Sequence, residues 1–228
     1  MKKAEMIARR SLLQSSVAAP LALAGRQGSR QPATDRGSGR KQKTRLVERP
    51  QVKRDFSKDG RSRRVVFAAH CMLNQNARHV DCADFPAMMK PMLAALQEKE
   101  IGIIQLPCPE LMALGLGRDH DVPPLETIRE ALKLPEAHAR LKPYVDQVVY
   151  QIKEYLFQGF RVLGILGKNG SPSCGVETTF YGTRQGPGEG VFVRLLKERL
   201  KAEGLDIGLK GIDDHRQQEA IDWLSKRV

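Results

Sequence analysis

An α/β fold, doubly wound in the Rossmann or flavodoxin manner, is what this sequence predicts: a parallel sheet of about four strands with helices on both faces. Two observations lead there. Short apolar runs at 65–69, 101–106, 162–166 and 207–212 read as strands, and stretches of helical periodicity fall between them. Strict alternation of the two then implies parallel pairing through right-handed crossovers. A third observation concerns chemistry: Cys71, Cys108 and Cys174 each stand just after one of the first three strands.

The chain has 228 residues, enough for one good-sized domain and a tail. Its formal charge of +12 is unevenly spread. Residues 1–64 hold 18 Lys and Arg against 5 Asp and Glu, whereas residues 65–228 hold 20 against 21. The domain itself therefore makes no electrostatic case for nucleic acid, and a single Trp argues against a base-stacking surface. Within the basic part, residues 1–24 read as an export signal. Lys2, Lys3, Arg9 and Arg10 precede a small, apolar run, and Ala22-Leu23-Ala24 offers a cleavage site. Arg9-Arg10-Ser11-Leu12-Leu13 resembles the twin-arginine signal, which implies a periplasmic protein; the alternative is a misplaced start codon followed by unselected sequence, and a cytoplasmic protein. Residues 25–63 lack apolar periodicity and read as a disordered basic linker, leaving 64–228 as the α/β domain. No segment is apolar for long enough to form a stable membrane span.

Taken in order, the strand at 65–69 is followed by a loop over 71–84. Phe85, Met88, Met89, Met92, Leu93 and Leu96 then recur at helical spacing, with Pro86 suited to a first turn and Pro91 expected to bend the helix. After the second strand an irregular loop runs through Pro124. Helices are expected at 125–132 and 139–158, the latter closed by Gly159. The third strand leads into Gly167-Lys168-Asn169-Gly170-Ser171-Pro172-Ser173-Cys174-Gly175, a loop whose backbone can pass close to a bound group. Residues 176–188 read as a glycine-rich loop and 191–203 as an amphipathic helix. The fourth strand and a closing helix at 217–227, with Trp223 and Leu224 on its apolar side, complete the domain.

In a parallel sheet all carboxyl ends lie on one edge, so Cys71, Cys108 and Cys174 are expected to gather where such folds bind ligands. Soft thiolates at one place favour zinc or an iron–sulfur cluster. The plainer alternative for any one of them is a buried small hydrophobe, and a disulfide between two would leave one over. Glu110, two residues beyond Cys108, is a natural proton donor or acceptor beside a metal; alone it would be a loop residue or a helix N-terminal acid. Ser171 faces the same place and can bond a substrate atom or a cluster sulfide, or merely stabilise its turn.

His70-Cys71-Met72-Leu73-Asn74-Gln75-Asn76, Pro107-Cys108-Pro109-Glu110 and Gly170-Ser171-Pro172-Ser173-Cys174-Gly175 together resemble the signature of the thiouracil desulfidase family, in order, each after a strand. The resemblance spans about 65–212. It implies a 4Fe-4S cluster held by Cys71, Cys108 and Cys174 only, with one iron not ligated by protein. It implies non-redox removal of sulfur from a thiocarbonyl, with Glu110 as acid/base and Ser171 as the catalytic serine. Open coordination suits Lewis-acid chemistry, whereas clusters that only carry electrons usually have four cysteines. The sequence departs from the family where Asn74 replaces a small glycine, around His79, and over 111–118, where a glycine-rich segment is expected. Asn74, Ser173 and Arg118 are expected to line the substrate pocket, so the thionated small molecule taken here need not be thiouracil. Arg118 would meet an anionic or carbonyl group there, or else be a surface arginine.

Cys82 lies in the polar loop His79-Val80-Asp81-Cys82-Ala83-Asp84 and reads either as a fourth ligand, which would close the cluster, or as a free thiol. Two other functions compete. One is a zinc hydrolase with the same three cysteines and Glu110 as base, although the zinc deaminase pattern is absent. The other is a non-enzymatic module that binds a cluster or sulfur. The sequence fixes no oligomeric state.

Overall fold

The computed structural model describes residues 54–118 and 128–228. The expected signal, most of the expected linker and the start of the helix expected at 125–132 lie outside them. Among the described residues the strands are β1 (Arg64–Ala68), β2 (Gly102–Gln105), β3 (Arg161–Lys168), β4 (Thr178–Tyr181), β5 (Arg184–Pro187) and β6 (Leu209–Ile212). Four of them form one parallel sheet in the order β2-β1-β3-β6, and β4 and β5 form a separate antiparallel hairpin. The helices are α1 (His70–Leu73), α2 (Lys90–Glu98), α3 (Pro109–Leu114), α4 (Ile128–Lys133), α5 (Pro135–Phe157), α6 (Val191–Ala202) and α7 (Gln217–Ser225). None of the described helices is long and apolar enough to cross a membrane.

Successive strand residues point to opposite faces, and both faces are covered. Phe67 and Ile165 turn toward one core, with Leu141, Val145 and Val148 of α5 and Phe192 and Leu196 of α6. Val66, Ala68 and Leu166 turn toward the other, with Met92 and Leu96 of α2 and Leu224 of α7. Helices on both sides of a parallel sheet make this the doubly wound α/β fold that the alternation of elements predicts. The β1–β3 pairing slips between Val65 and Val66. At the slip Gly164 lies under the ring of Trp223, where a Cβ would come within 2.4 Å of it.

Several elements depart from expectation for identifiable reasons. Helix α2 begins at Lys90, so Pro91 occupies the first turn, where its missing N–H is no loss, and does not bend the helix. Residues 109–114, expected as loop, form α3 with Pro109 in its first turn. Helix α5 starts earlier than expected, at Pro135, and for the same reason. The glycine-rich stretch 176–188 contains the β4–β5 hairpin, since Thr178-Thr179-Phe180-Tyr181 favours extended backbone and Gly182 allows the turn.

Phe192 is fully buried where α6 meets α5 and the sheet. Replacing it with Ala is expected to cost about 3–5 kcal/mol, read in urea as a lower unfolding midpoint with an unchanged slope.

Candidate functional site

Strand β1 runs straight into α1. The N–H of Ala69 still donates to the carbonyl of Leu166 at 2.9 Å, which extends the β1–β3 pairing to the tip, and Cys71 follows within α1. The tip of β2 is tied likewise, the N–H of Leu106 donating to the carbonyl of Ala68 at 2.8 Å. Cys108 is the N-cap of α3, which places Glu110 in that helix's first turn. Strand β3 ends at Lys168 and its loop carries Cys174. Because the chain leaves β2 at one edge and re-enters on the far side of β1, the strand order reverses beside β1, and a crevice forms there. It is a cavity of about 420 Å³ lined by Cys71, Cys108 and Cys174, with Cys82 and Glu110 also on its wall.

The loop holding Cys174 is fixed from several directions. Val191 donates its N–H to the carbonyl of Pro172 and Phe192 to that of Ser173, both at 3.0 Å. The first turn of α6 thus finds acceptors for N–H groups that no helix can satisfy internally. This close seating needs Gly190, where a Cβ would lie 2.3 Å from the carbonyl carbon of Ser173. On the inner side the N–H of Lys168 donates to the carbonyl of Cys174 at 3.1 Å.

Burial dominates the chemistry of the thiols. It pushes Cys71 up to about 12 against the pull of Arg78. Cys174 is raised well above its ordinary range by burial and then by the nearness of Cys108 and Cys71. Cys108 is raised by burial and by Glu110. Three buried soft donors that oppose one another's ionisation fit a group that brings its own positive charge. Among the described residues no group of three or more His, Cys, Asp or Glu is arranged to hold a metal ion.

Glu110 is buried and both of its carboxylate oxygens are engaged. Ser173 Oγ donates to Oε1 at 2.7 Å, with Ser171 Oγ farther off at 3.4 Å. Arg118 Nε stands 3.0 Å from Oε2, off the line of a directed hydrogen bond, so charge holds this pair. Arg118 also donates to the carbonyls of Ala77 at 2.8 Å and Leu116 at 3.2 Å. It is buried, lines the cavity, and is not the surface arginine that its sequence context also allowed.

Ser171 and Ser173 both line the cavity. Asn74 does not. It is exposed and spends its side chain capping the 3-10 turn Gln75–Ala77, its Oδ1 accepting from Asn76 N at 3.1 Å. Cys82 does line the cavity; its thiol is raised by burial, and Arg78, Glu110 and Arg118 are the neighbouring charges that bear on it most. Sequence reasoning missed a second ionic group on the wall. Buried Asp214 pairs with Lys168 at 2.9 Å and with Arg78 at 3.1 Å. Burial works to raise the Asp214 carboxyl, but a hydrogen bond with Asp84 and the Lys168 ammonium leave it below its ordinary value. Lys168 and Asp214 stand at the ends of β3 and β6, so the rule that flagged the cysteines would have flagged them too.

No family model matches the chain. Over 116 residues it is 24% identical to an uncharacterized protein of Methanocaldococcus jannaschii, a stretch covering 51% of this chain and 70% of that protein. Among solved structures, a 4Fe-4S-dependent thiouracil desulfidase, TudS, is similar at 22% identity and a TM-score of 0.43, over 70% of this chain and 97% of that one. At that TM-score the likeness fixes neither fold nor chemistry; the fold stands on the strand order and register given above.

Removing Arg118 would strand a buried carboxylate. Arg118→Met is expected to lower stability by about 3–5 kcal/mol. The double variant Arg118→Met/Glu110→Gln should lose clearly less than the sum of the single losses, as a denaturation-based mutant cycle will show.

Proposed function

We propose that the domain is a non-redox desulfidase that converts the thiocarbonyl of a small molecule to a carbonyl and releases sulfide. One observation carries the reading: thiols from the tips of three neighbouring parallel strands line one cavity together with a buried, hydrogen-bonded carboxylate. The order and setting of the three motifs that resemble the thiouracil desulfidase family support it. Cys71, Cys108 and Cys174 would hold a 4Fe-4S cluster. Bound there with one iron free of protein ligands, the cluster supplies a soft Lewis acid for the substrate's sulfur.

The protein's own groups handle protons and orientation. A water that attacks the thiocarbonyl carbon must lose a proton, and Glu110 accepts it. Arg118 fixes the carboxylate in place through Oε2 and leaves Oε1 to the serines. Both protons of the water reach the departing sulfur by way of Glu110, one from the attack and one as the C–S bond breaks and C=O forms, so water and thiocarbonyl become carbonyl and hydrogen sulfide with no change of oxidation state. Phe180, from the β4–β5 hairpin, adds a flat apolar wall against which a planar substrate can lie. Substrate enters as a small molecule; export through residues 1–24 would place this reaction in the periplasm.

Protein purified without oxygen is expected to be brown and to contain iron and acid-labile sulfide. It should release sulfide from at least one compound in a panel of thionated bases, nucleosides and small thioamides. Substituting Cys71, Cys108 or Cys174 with Ser should each abolish the cluster, while Cys82→Ser should retain it. Zinc in place of iron would turn the reading toward a hydrolase, and cluster loss in Cys82→Ser would show a closed, four-ligand centre.

A further inference from the structure

The two serines of the Ser171-Pro172-Ser173-Cys174 loop do not hold equivalent positions, and counting their lone pairs separates them. A hydroxyl has one hydrogen to give and two lone pairs to receive. Ser171 Oγ accepts the N–H of Ser173 at 3.2 Å and that of Cys174 at 3.0 Å, which occupies both lone pairs. Its hydrogen then points to Ser173 Oγ at 3.0 Å, the nearer of its two acceptors. Ser173 Oγ receives that bond and gives its own hydrogen to Glu110 Oε1 at 2.7 Å. The contact from Ser173 Oγ to Cys174 Sγ, at 3.6 Å, is an ordinary length for sulfur, but the carboxylate oxygen is the stronger acceptor for the one hydrogen, and a Cys174 thiolate has none to give back. One lone pair of Ser173 is left over, on a residue that lines the cavity.

We infer that Ser173, and not Ser171, is the hydroxyl that passes protons between the cavity and Glu110, and that Ser171 is a positioning residue for the loop carrying Cys174. The inference rests on the desulfidase reading for its chemistry, but not for the hydrogen-bond count. As water attacks the thiocarbonyl carbon, its O–H bond breaks and that proton settles on the free lone pair of Ser173. The proton Ser173 already holds moves to Glu110 Oε1, the new C–O bond forms, and the π pair of C=S goes to sulfur. The reverse transfer brings the proton back through Ser173 to sulfur and restores the Glu110 carboxylate. The C–S bond then breaks with its electron pair going to sulfur, the remaining hydroxyl loses its proton along the same route to Glu110 as C=O forms, and that second proton returns to the departing hydrosulfide to give hydrogen sulfide. Arg118, on Oε2, keeps Oε1 turned to Ser173 throughout. Ser171 has no lone pair free for this task unless the amides of Ser173 and Cys174 let go.

Ser171→Ala and Ser173→Ala in the full chain test the division of labour. Ser171→Ala is expected to speed hydrogen exchange at the amides of Ser173 and Cys174, which lose their acceptor, and to lower the iron and sulfide bound per chain. Ser173→Ala is expected to leave exchange and cluster content as in the wild type. It should lower kcat by about 100-fold with little change in KM, and flatten the dependence of rate on the D₂O fraction. Full kcat in Ser173→Ala would overturn the proposal, as would faster exchange and cluster loss in Ser173→Ala with neither in Ser171→Ala. If the wild type releases sulfide from none of the thionated compounds, the desulfidase reading falls, while amide exchange still decides which serine holds the loop.

Discussion

The parallel pairing of β1 with β2 on one side and β3 on the other is the constraint from which the site follows. Val65 stands opposite Gly102 and Val162, so the three strands leave the sheet at nearly one level. A slip of one residue would turn Phe67 and Ile165 out of one core and Val66 and Ala68 out of the other. Hydrophobic burial therefore sets the register, and the register sets where the thiols stand. Neither Cys71 nor Cys108 has a neighbour in sequence that would bring it to Cys174; the sheet does that, over separations of dozens of residues.

Inside the cavity the difficulty is electrostatic. Carboxylates in a dry setting are costly unless paired, and two unpaired ones would repel. The fold gives each its own cation: Arg118 for Glu110, Lys168 with Arg78 for Asp214. Glu110 is drawn toward the serines, on the side of the β3 loop, whereas Asp214 is tied to the β6 end and to the segment around Arg78 and Asp84. The two groups share one cavity and have no ion-pair partner in common. Among the described residues only the Glu110 group offers a hydroxyl that links carboxylate to cavity, which is what supports its proposed part in proton handling.

Much of this could be read from the sequence, and the failures have physical causes. The four main strands and helices α5, α6 and α7 are long or apolar enough for periodicity to show, and topology alone predicted that the three strand-tip cysteines would meet. Helices α1 and α3 are too short to display a helical period, so only Pro109 announced the second of them. The hairpin was hidden because Gly182, Gly186 and Gly188 make the stretch read as loop, and of its two four-residue strands only Thr178–Tyr181 is built of residues that favour extended backbone. Asn74 was placed near the pocket by its nearness to Cys71, but nearness along the chain does not fix which way a side chain turns. Arg118 was expected at the pocket, yet its pairing with Glu110 depends on the chain doubling back after α3, which no local pattern encodes.

The two walls of the cavity are built by different forces. On one side, Ser171 to Gly175 is seated by backbone hydrogen bonds from the start of α6, from Lys168 and from its own serine, and Gly190 removes the bulk that would pry it away. On the other, the segment from Arg78 to Asp84 is attached by the ion pair of Arg78 with Asp214, its two ends are tied together by the pair of Arg78 with Asp84, and its residues are exposed or only partly buried. Directed hydrogen bonds between buried backbone groups tolerate little displacement, whereas the pair with exposed Asp84 stretches and re-forms at small cost, which leaves the largely buried Arg78–Asp214 pair as the ionic anchor of this wall. The same contrast divides the residues by task. Cys174 and Ser173, which the proposed reaction would require to hold their geometry, belong to the hydrogen-bonded wall. Cys82 and His79 belong to the ionic one. Substitutions between Arg78 and Asp84 that keep the Arg78–Asp214 pair would therefore leave the strand-tip thiols and the carboxylate opposite them in place.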